Sequence, residues 1–111
     1  MEKSAKPAGK RMSLAAVAVL KAVADGCRYG FDIMDATRLP SGTVYPILGR
    51  FEEAGLLRSQ WERQAIAHRE KRPPRRYYEV TPSGSRALAS VIEYYRTVGG
   101  LVPLEPKIAR G

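Results

Sequence analysis

Apolar side chains recur along this chain with two periods, and the change between them divides it into elements. In the stretch LPSGTVYPILGRFEEAGLL, Val44, Ile47, Leu48 and Phe51 fall at i, i+3, i+4 and i+7, the stripe of one helix face. Pro40, Ser41 and Gly42 precede the stripe as turn and cap residues. Pro46 suits a first turn, where backbone donors have no intrahelical partner. Gly55 suits the position just past the helix, where a left-handed backbone lets Leu56 fold back on Phe51. Upstream, Ser13 is a candidate N-cap for a helix reaching about Ala24. Leu14, Val17, Leu20 and Ala24 line one face, and Ala16, Val19 and Val23 another, so this helix is buried on several sides. Asp25-Gly26 ends it as a turn dipeptide. Tyr29 to Thr37 reads as a short second helix, with Tyr29, Ile33 and Met34 on one side and Asp32, Asp35 and Arg38 on the other; Gly30 there fits close helix packing or helix entry.

Past Leu57 the period becomes two. Leu57, Ser59, Trp61 and Arg63 alternate with Arg58, Gln60 and Glu62, a strand with one half-buried face. Arg75 to Val80 alternates in the same way, and QAIAHREKRPP between them has no strong periodicity and reads as a basic loop. Together these make a β-hairpin. Thr81 is an N-cap and Pro82 an N1 residue for a last helix, whose stripe is Leu88, Val91, Ile92, Tyr95 and Val98, broadened by Tyr94. Such a stripe covers its own core or pairs with a twin. With Gly99, Gly100, Pro103 and Pro106 behind it, pairing is the expectation, with Leu14 and Val17 of the first helix joining. The organisation expected is a flexible basic arm over residues 1–12, a DNA-binding unit over 13–81, a dimerisation helix over 82–98 and a flexible tail over 99–111. The fold class is mainly α with a small β-hairpin.

A chain of 111 residues makes one domain with a modest core. Charge changes the picture: 19 Lys plus Arg against 11 Asp plus Glu give a net charge of +8, which points to a polyanionic partner. Where the charge lies favours nucleic acid over a membrane surface. The helix carrying the central stripe has an outer face of Thr43, Tyr45, Pro46, Gly49 and Arg50, and the hairpin carries His68, Arg69, Lys71, Arg72, Arg75 and Arg76, diluted by Glu70. A short helix with that outer face, preceded by a turn and another short helix, looks like the second helix of a helix-turn-helix, and the basic hairpin beside it like a wing. Candidate DNA contacts are therefore Ser41, Thr43, Tyr45, Pro46 and Arg50 on the helix, and Lys71, Arg72, Arg75 and Arg76 on the wing. Lys3, Lys6, Lys10 and Arg11 of the arm either touch phosphate or simply solubilise the chain; the second reading is preferred.

Three motifs in order carry a resemblance. The run PSGTVYPILGRFEEAGLL, the upstream Tyr29-Gly30-Phe31-Asp32-Ile33 and the downstream Arg75-Arg76-Tyr77-Tyr78-Glu79-Val80-Thr81 closely resemble the PadR-type transcriptional regulators, over roughly residues 13–98. The resemblance implies a winged helix-turn-helix, a homodimer made by a single terminal helix as in the short subgroup, and a repressor acting on double-stranded DNA in the cytoplasm. Relatives commonly carry glycines before the basic strand, where this chain has Pro73-Pro74; two prolines stiffen the return strand and remove two backbone donors.

Chemistry of other kinds has little support. There is no Ser/His/Asp set, no Gly-rich phosphate loop and no paired buried carboxylate, so neither an enzyme nor a cofactor is expected. His68 is the only histidine and has no partners at metal-ligand spacing. Cys27 is the only cysteine, so no intrachain disulfide is possible, and it reads as a small turn residue rather than a redox sensor. The apolar run from Leu14 to Leu20 is too short to span a bilayer. Tyr94, Tyr95 and Trp61 are candidates for an effector pocket at a dimer interface, with ordinary packing the alternative. Two competing readings are a winged-helix protein-interaction module without specific DNA binding, and a non-specific DNA coat.

Overall fold

Local signals place the helix ends. The computed structural model describes residues 12–101; the arm over 1–11 and the tail past Leu101 lie outside them. Along these residues run α1 (Leu14–Ala24), α2 (Gly30–Thr37), α3 (Ser41–Glu53), β1 (Leu57–Trp61), α4 (Gln64–Arg69), β2 (Arg76–Val80) and α5 (Pro82–Leu101). The Ser13 hydroxyl accepts from the Ala16 N–H at 3.1 Å, and Gly26 at φ +111° turns the chain after α1. At the end of α3 the Leu56 N–H donates to the Phe51 carbonyl (2.9 Å) and the Gly55 N–H to the Glu52 carbonyl (3.1 Å), with Gly55 at φ +79°. That is the Schellman arrangement, and the left-handed residue is the glycine expected there. The start of α3 differs from expectation. Pro40 is the N-cap, without a side-chain cap bond. The helix begins early enough that Pro46 falls in its second turn. Its missing N–H leaves the Gly42 carbonyl without the usual intrahelical donor.

The two strands pair antiparallel from Leu57 opposite Val80 to Trp61 opposite Arg76. Burial on the Leu57 face fades outward: Leu57 is buried, Ser59 half-buried and Trp61 63% exposed. The approach to α2 docks on β2, where Tyr29 bridges Tyr77 and the Tyr78 N–H donates to the Arg28 carbonyl (2.9 Å). Two sequence expectations fail in this hairpin. The basic segment contains a helix, α4, and Glu62, placed on the solvent side by alternation, is buried. Both have one cause: strand alternation stops at Trp61, and the chain turns inward to seat Ala67 and to pair Glu62 with Arg72.

The core forms around α1, which meets α2, α3, α5 and β2. Val19, Leu20, Ile33, Val44, Leu48, Leu57 and Val91 are shut off from solvent. Thr81 caps α5 as expected, accepting from the Gly84 N–H (3.0 Å) while donating to the Gly55 carbonyl (2.6 Å). Gly84 lies so close to the Leu56 carbonyl that a Cβ there would overlap it. The Tyr95 hydroxyl donates to the Met12 carbonyl (2.8 Å), and Met12 is buried, so the folded body includes a residue the sequence assigns to the arm. Similarly, α5 runs through Gly99 and Gly100 to Leu101, past the expected start of the tail.

Candidate nucleic-acid interface

The outer face of α3 follows from its inner one. With Val44, Ile47, Leu48 and Phe51 buried, Ser41, Gly42, Tyr45, Pro46, Gly49 and Arg50 are exposed, and Thr43 is half-buried at the flank. On a helical wheel Gly42 and Gly49 stand at the centre of this face, and open space surrounds the position of a Cβ at each. The middle of the face is therefore bare backbone, edged by Ser41 and Tyr45 on one side and Pro46 and Arg50 on the other. Tyr45 leans over the start of α2, where a Cβ on Gly30 would overlap its hydroxyl. This is the close packing expected of Gly30, and it identifies the partner.

Beside α3 stands the hairpin. Arg76 is held by the Glu52 carboxylate (Nη2 to Oε2, 3.1 Å) and by the Ser59 hydroxyl, to which its Nε–H donates (2.9 Å); the Ser59 hydroxyl in turn donates to Glu52. The Arg76 guanidinium lies 5.5 Å from the Trp61 ring centre, and that of Arg75 lies 4.8 Å from the Tyr29 ring centre, both within cation–π range. Among the described residues, Arg50, Lys71 and Arg75 have no carboxylate within 4.0 Å. Between α2, α3 and the hairpin opens a cleft of about 720 Å³, walled by Tyr29, Phe31, Tyr45, Trp61, Arg75 and Arg76. Burial pushes the phenol of Tyr78, at its floor, above its ordinary range.

The structure thus sets Tyr45, Arg75 and Arg76 around one cleft, with Ser41, Pro46 and Arg50 on the same exposed face of α3 as Tyr45; Lys71 is exposed at φ +58° in the turn after α4. Arg72 departs from the expected free cation, because its guanidinium grips Glu62. Phe31 and Trp61, both largely exposed, join the cleft without having been expected there. Trp61 is consequently separated from the pair it was grouped with: Tyr94 and Tyr95 pack edge to face on α5, ring centres 5.4 Å apart.

The residues expected at a dimer interface divide. Leu88 and Val91 are spent in the protomer's own core, with Val17, Ile92 and Tyr95 packed against it. Leu14 is 69% exposed and Tyr94 exposed, while Val17 and Val98 are half-buried. Among the described residues no cluster of His, Cys, Asp and Glu could hold a metal ion, and no helix is long and apolar enough to cross a membrane.

A model of the transcriptional regulator PadR-like family matches residues 19–90, which contain α2, α3 and the hairpin with its cleft. The chain belongs to this family. Solved PadR structures share its winged-helix fold. A PadR family transcription regulator from Clostridium difficile R20291 superposes with a TM-score of 0.70 at 21% identity, over 80% of this chain and 94% of that one. A PadR-like transcription factor from Bacteroides fragilis does so with a TM-score of 0.62 at 26% identity, over 86% and 96%. Outside the PadR name, Bordetella bronchiseptica BpsR, described as regulated in its DNA binding by 6-hydroxynicotinic acid, has the same fold with a TM-score of 0.66 at 20% identity, over 87% of this chain and 70% of that one. A search of curated protein sequences gives no match.

Proposed function

We propose that this PadR-family chain is a homodimeric repressor that reads a pseudo-palindromic DNA operator with α3 and grips the flanking backbone with the hairpin wing. The observation that carries the reading is the joint exposure of a bare-centred α3 face and the Arg75–Arg76 pair across one aromatic cleft. The α3 face enters the major groove. Arg50 and Tyr45 bond base edges or phosphate, and Ser41 and Thr43 bond phosphate or meet a thymine methyl. Pro46 supplies an apolar contact. A sugar–phosphate strand passes over the cleft between Tyr45 and the wing, within reach of Arg75, Arg76 and Lys71.

Two-fold pairing presents two copies of α3 about 34 Å apart, one helical turn of B-DNA. Leu14 of α1 with Tyr94 and Val98 of α5 are the apolar residues left to form that interface, and half-buried Val17, packed against the core, borders them. Repression is the sign implied by the family resemblance. In this reading a small-molecule effector releases the operator, with BpsR as the precedent of a similar fold.

The test is an anisotropy titration against a duplex from the chain's own upstream region at ~150 mM salt with excess unrelated DNA. Tight binding that survives competitor and is lost in Arg50→Ala is the expected result. Binding swept away by competitor would instead mean a non-specific coat, and none at low salt a protein-interaction module. With about six phosphate contacts, affinity falls roughly a thousandfold between ~50 and ~200 mM salt.

A further inference from the structure

The chain leaves β1 after Trp61 and returns to β2 at Arg76 by way of α4 and a turn that contains Lys71 at φ +58°. One residue fastens both ends of this excursion. The Glu62 N–H donates to the Arg75 carbonyl (2.7 Å), and the Arg75 N–H donates back to Glu62 Oε1 (3.2 Å). Both Glu62 oxygens accept from Arg72, Nη1 to Oε1 at 2.6 Å and Nη2 to Oε2 at 2.9 Å, a bidentate fork. The Glu62 side chain is 7% exposed and that of Arg72 is 22% exposed. Arg72 is itself set by its N–H, which donates to the Ala67 carbonyl (3.1 Å), and by Nη1, which reaches the Pro73 carbonyl (3.3 Å). The fork faces the protein rather than solvent, since the carboxylate it grips is buried; the Arg72 Nε, also buried, has no partner among the described residues.

We infer that Glu62 and Arg72 are positioning residues for DNA binding: their pair closes the wing and thereby aims Arg75 and Arg76. The inference rests on the DNA-binding reading above and deepens it. Arg75, whose backbone Glu62 holds at both its N–H and its carbonyl, is the residue whose guanidinium stacks on Tyr29; the next residue stacks on Trp61. If the wing slackens, Arg75 leaves the cleft edge, and Arg76 keeps only its own ties to Glu52 and Ser59.

The consequence has an unusual sign. On a basic DNA-binding surface, removing a carboxylate ordinarily tightens binding, because repulsion of phosphate falls. If Arg72 were a phosphate contact restrained by Glu62, Glu62→Gln would release it and strengthen binding. A positioning pair requires the opposite.

The experiment titrates a labelled mixed-sequence duplex at ~50 mM salt with the full chain and with Glu62→Gln, Arg72→Ala, Arg72→Lys and the double variant Glu62→Gln/Arg72→Ala. Far-ultraviolet circular dichroism checks the fold. Each single variant is expected to weaken binding about tenfold, the loss of one or two well-placed cations. The double variant is expected to lose less than the two single losses combined, because both residues share the fork, while Arg72 also meets Glu70 (Nη2 to Oε1, 3.4 Å). Arg72→Lys recovers only part of the loss, since an ammonium cannot bridge both oxygens. Trp61, the only tryptophan, should change its emission in Glu62→Gln and in Arg72→Ala without DNA. Glu62→Gln binding as tightly as the parent, or more tightly, overturns the inference. If the parent chain binds no duplex, the DNA reading fails on its own; the pair is then judged on Trp61, and unchanged emission in both variants rejects it.

Discussion

Glu62 accepts three hydrogen bonds, all inside the wing, and its ionisation records this. The fork from Arg72 lowers its carboxyl from the ordinary 4.5 to about 2; burial opposes that shift, and the Arg75 N–H adds to it. In the unfolded chain the group returns to its ordinary value. A carboxyl depressed by folding contributes stability that is fully present above about pH 4.5 and is lost as pH falls toward 2. Followed by Trp61 emission, the wing should therefore hold through neutrality and loosen within that acid window, and Glu62→Gln should shrink the transition. Two glycines give contrasting predictions at the same scale. Gly84→Ala sets a methyl against the backbone carbonyl of Leu56, which cannot swing away, so thermal unfolding should register a loss of about 1–3 kcal/mol. Gly30→Ala meets the end of the Tyr45 side chain, which can swing. That variant should stay close to the parent in stability and lose DNA affinity instead.

At the scale of elements, α3 sets its own stability against its outer face. Gly42 and Gly49 make no packing contact that a Cβ would disturb, yet glycine inside a helix costs about 0.5–1 kcal/mol relative to alanine. Gly49→Ala should raise the unfolding free energy by about that amount while weakening duplex binding, because the added methyl stands where DNA would approach. Equal or tighter binding by Gly49→Ala would remove the argument for a bare-centred reading face. The elements also mark how far the sequence was readable. Ser13, Gly26, Gly55 and Thr81 are local devices, and each ends or begins its helix where the residue type indicates. The central stripe of α3 was equally plain, because it needs only its own period. Helix α4 was not legible. It has six residues and no stripe, and it holds through Ala67 and the Glu62–Arg72 pair, contacts that exist only once the hairpin has closed. Pro46 misled for a related reason: its locally favoured place is a first turn, but packing starts α3 earlier. The cleft was visible in part. Arg75, Arg76 and Tyr45 stood out by charge and motif, whereas Phe31 and Trp61 come to it only through the docking of Tyr29 on β2.

For the whole molecule, the division of labour along α5 decides what a partner copy can touch. The inner stripe, Leu88 and Val91, completes the protomer's core. The proposed dimer must therefore use the outer residues, and Leu14→Glu combined with Tyr94→Glu should yield a folded monomer by sedimentation equilibrium. That monomer should bind a half-site duplex but lose the advantage of a full palindrome, the signature of two tethered readers. A double variant that remains dimeric would move the interface elsewhere. The hydrogen bond between Tyr95 and the Met12 carbonyl carries a consequence of another kind. It joins residues 83 positions apart, and Val91, one turn earlier on the same helix, seals the hydrophobic centre built on α1. During synthesis the nascent polypeptide will already have released α1, α2, α3 and the hairpin from the ribosome before this last helix arrives. Until then the core around Val19 and Leu20 lacks its final cover, and apolar surface left open in that way is prone to aggregate.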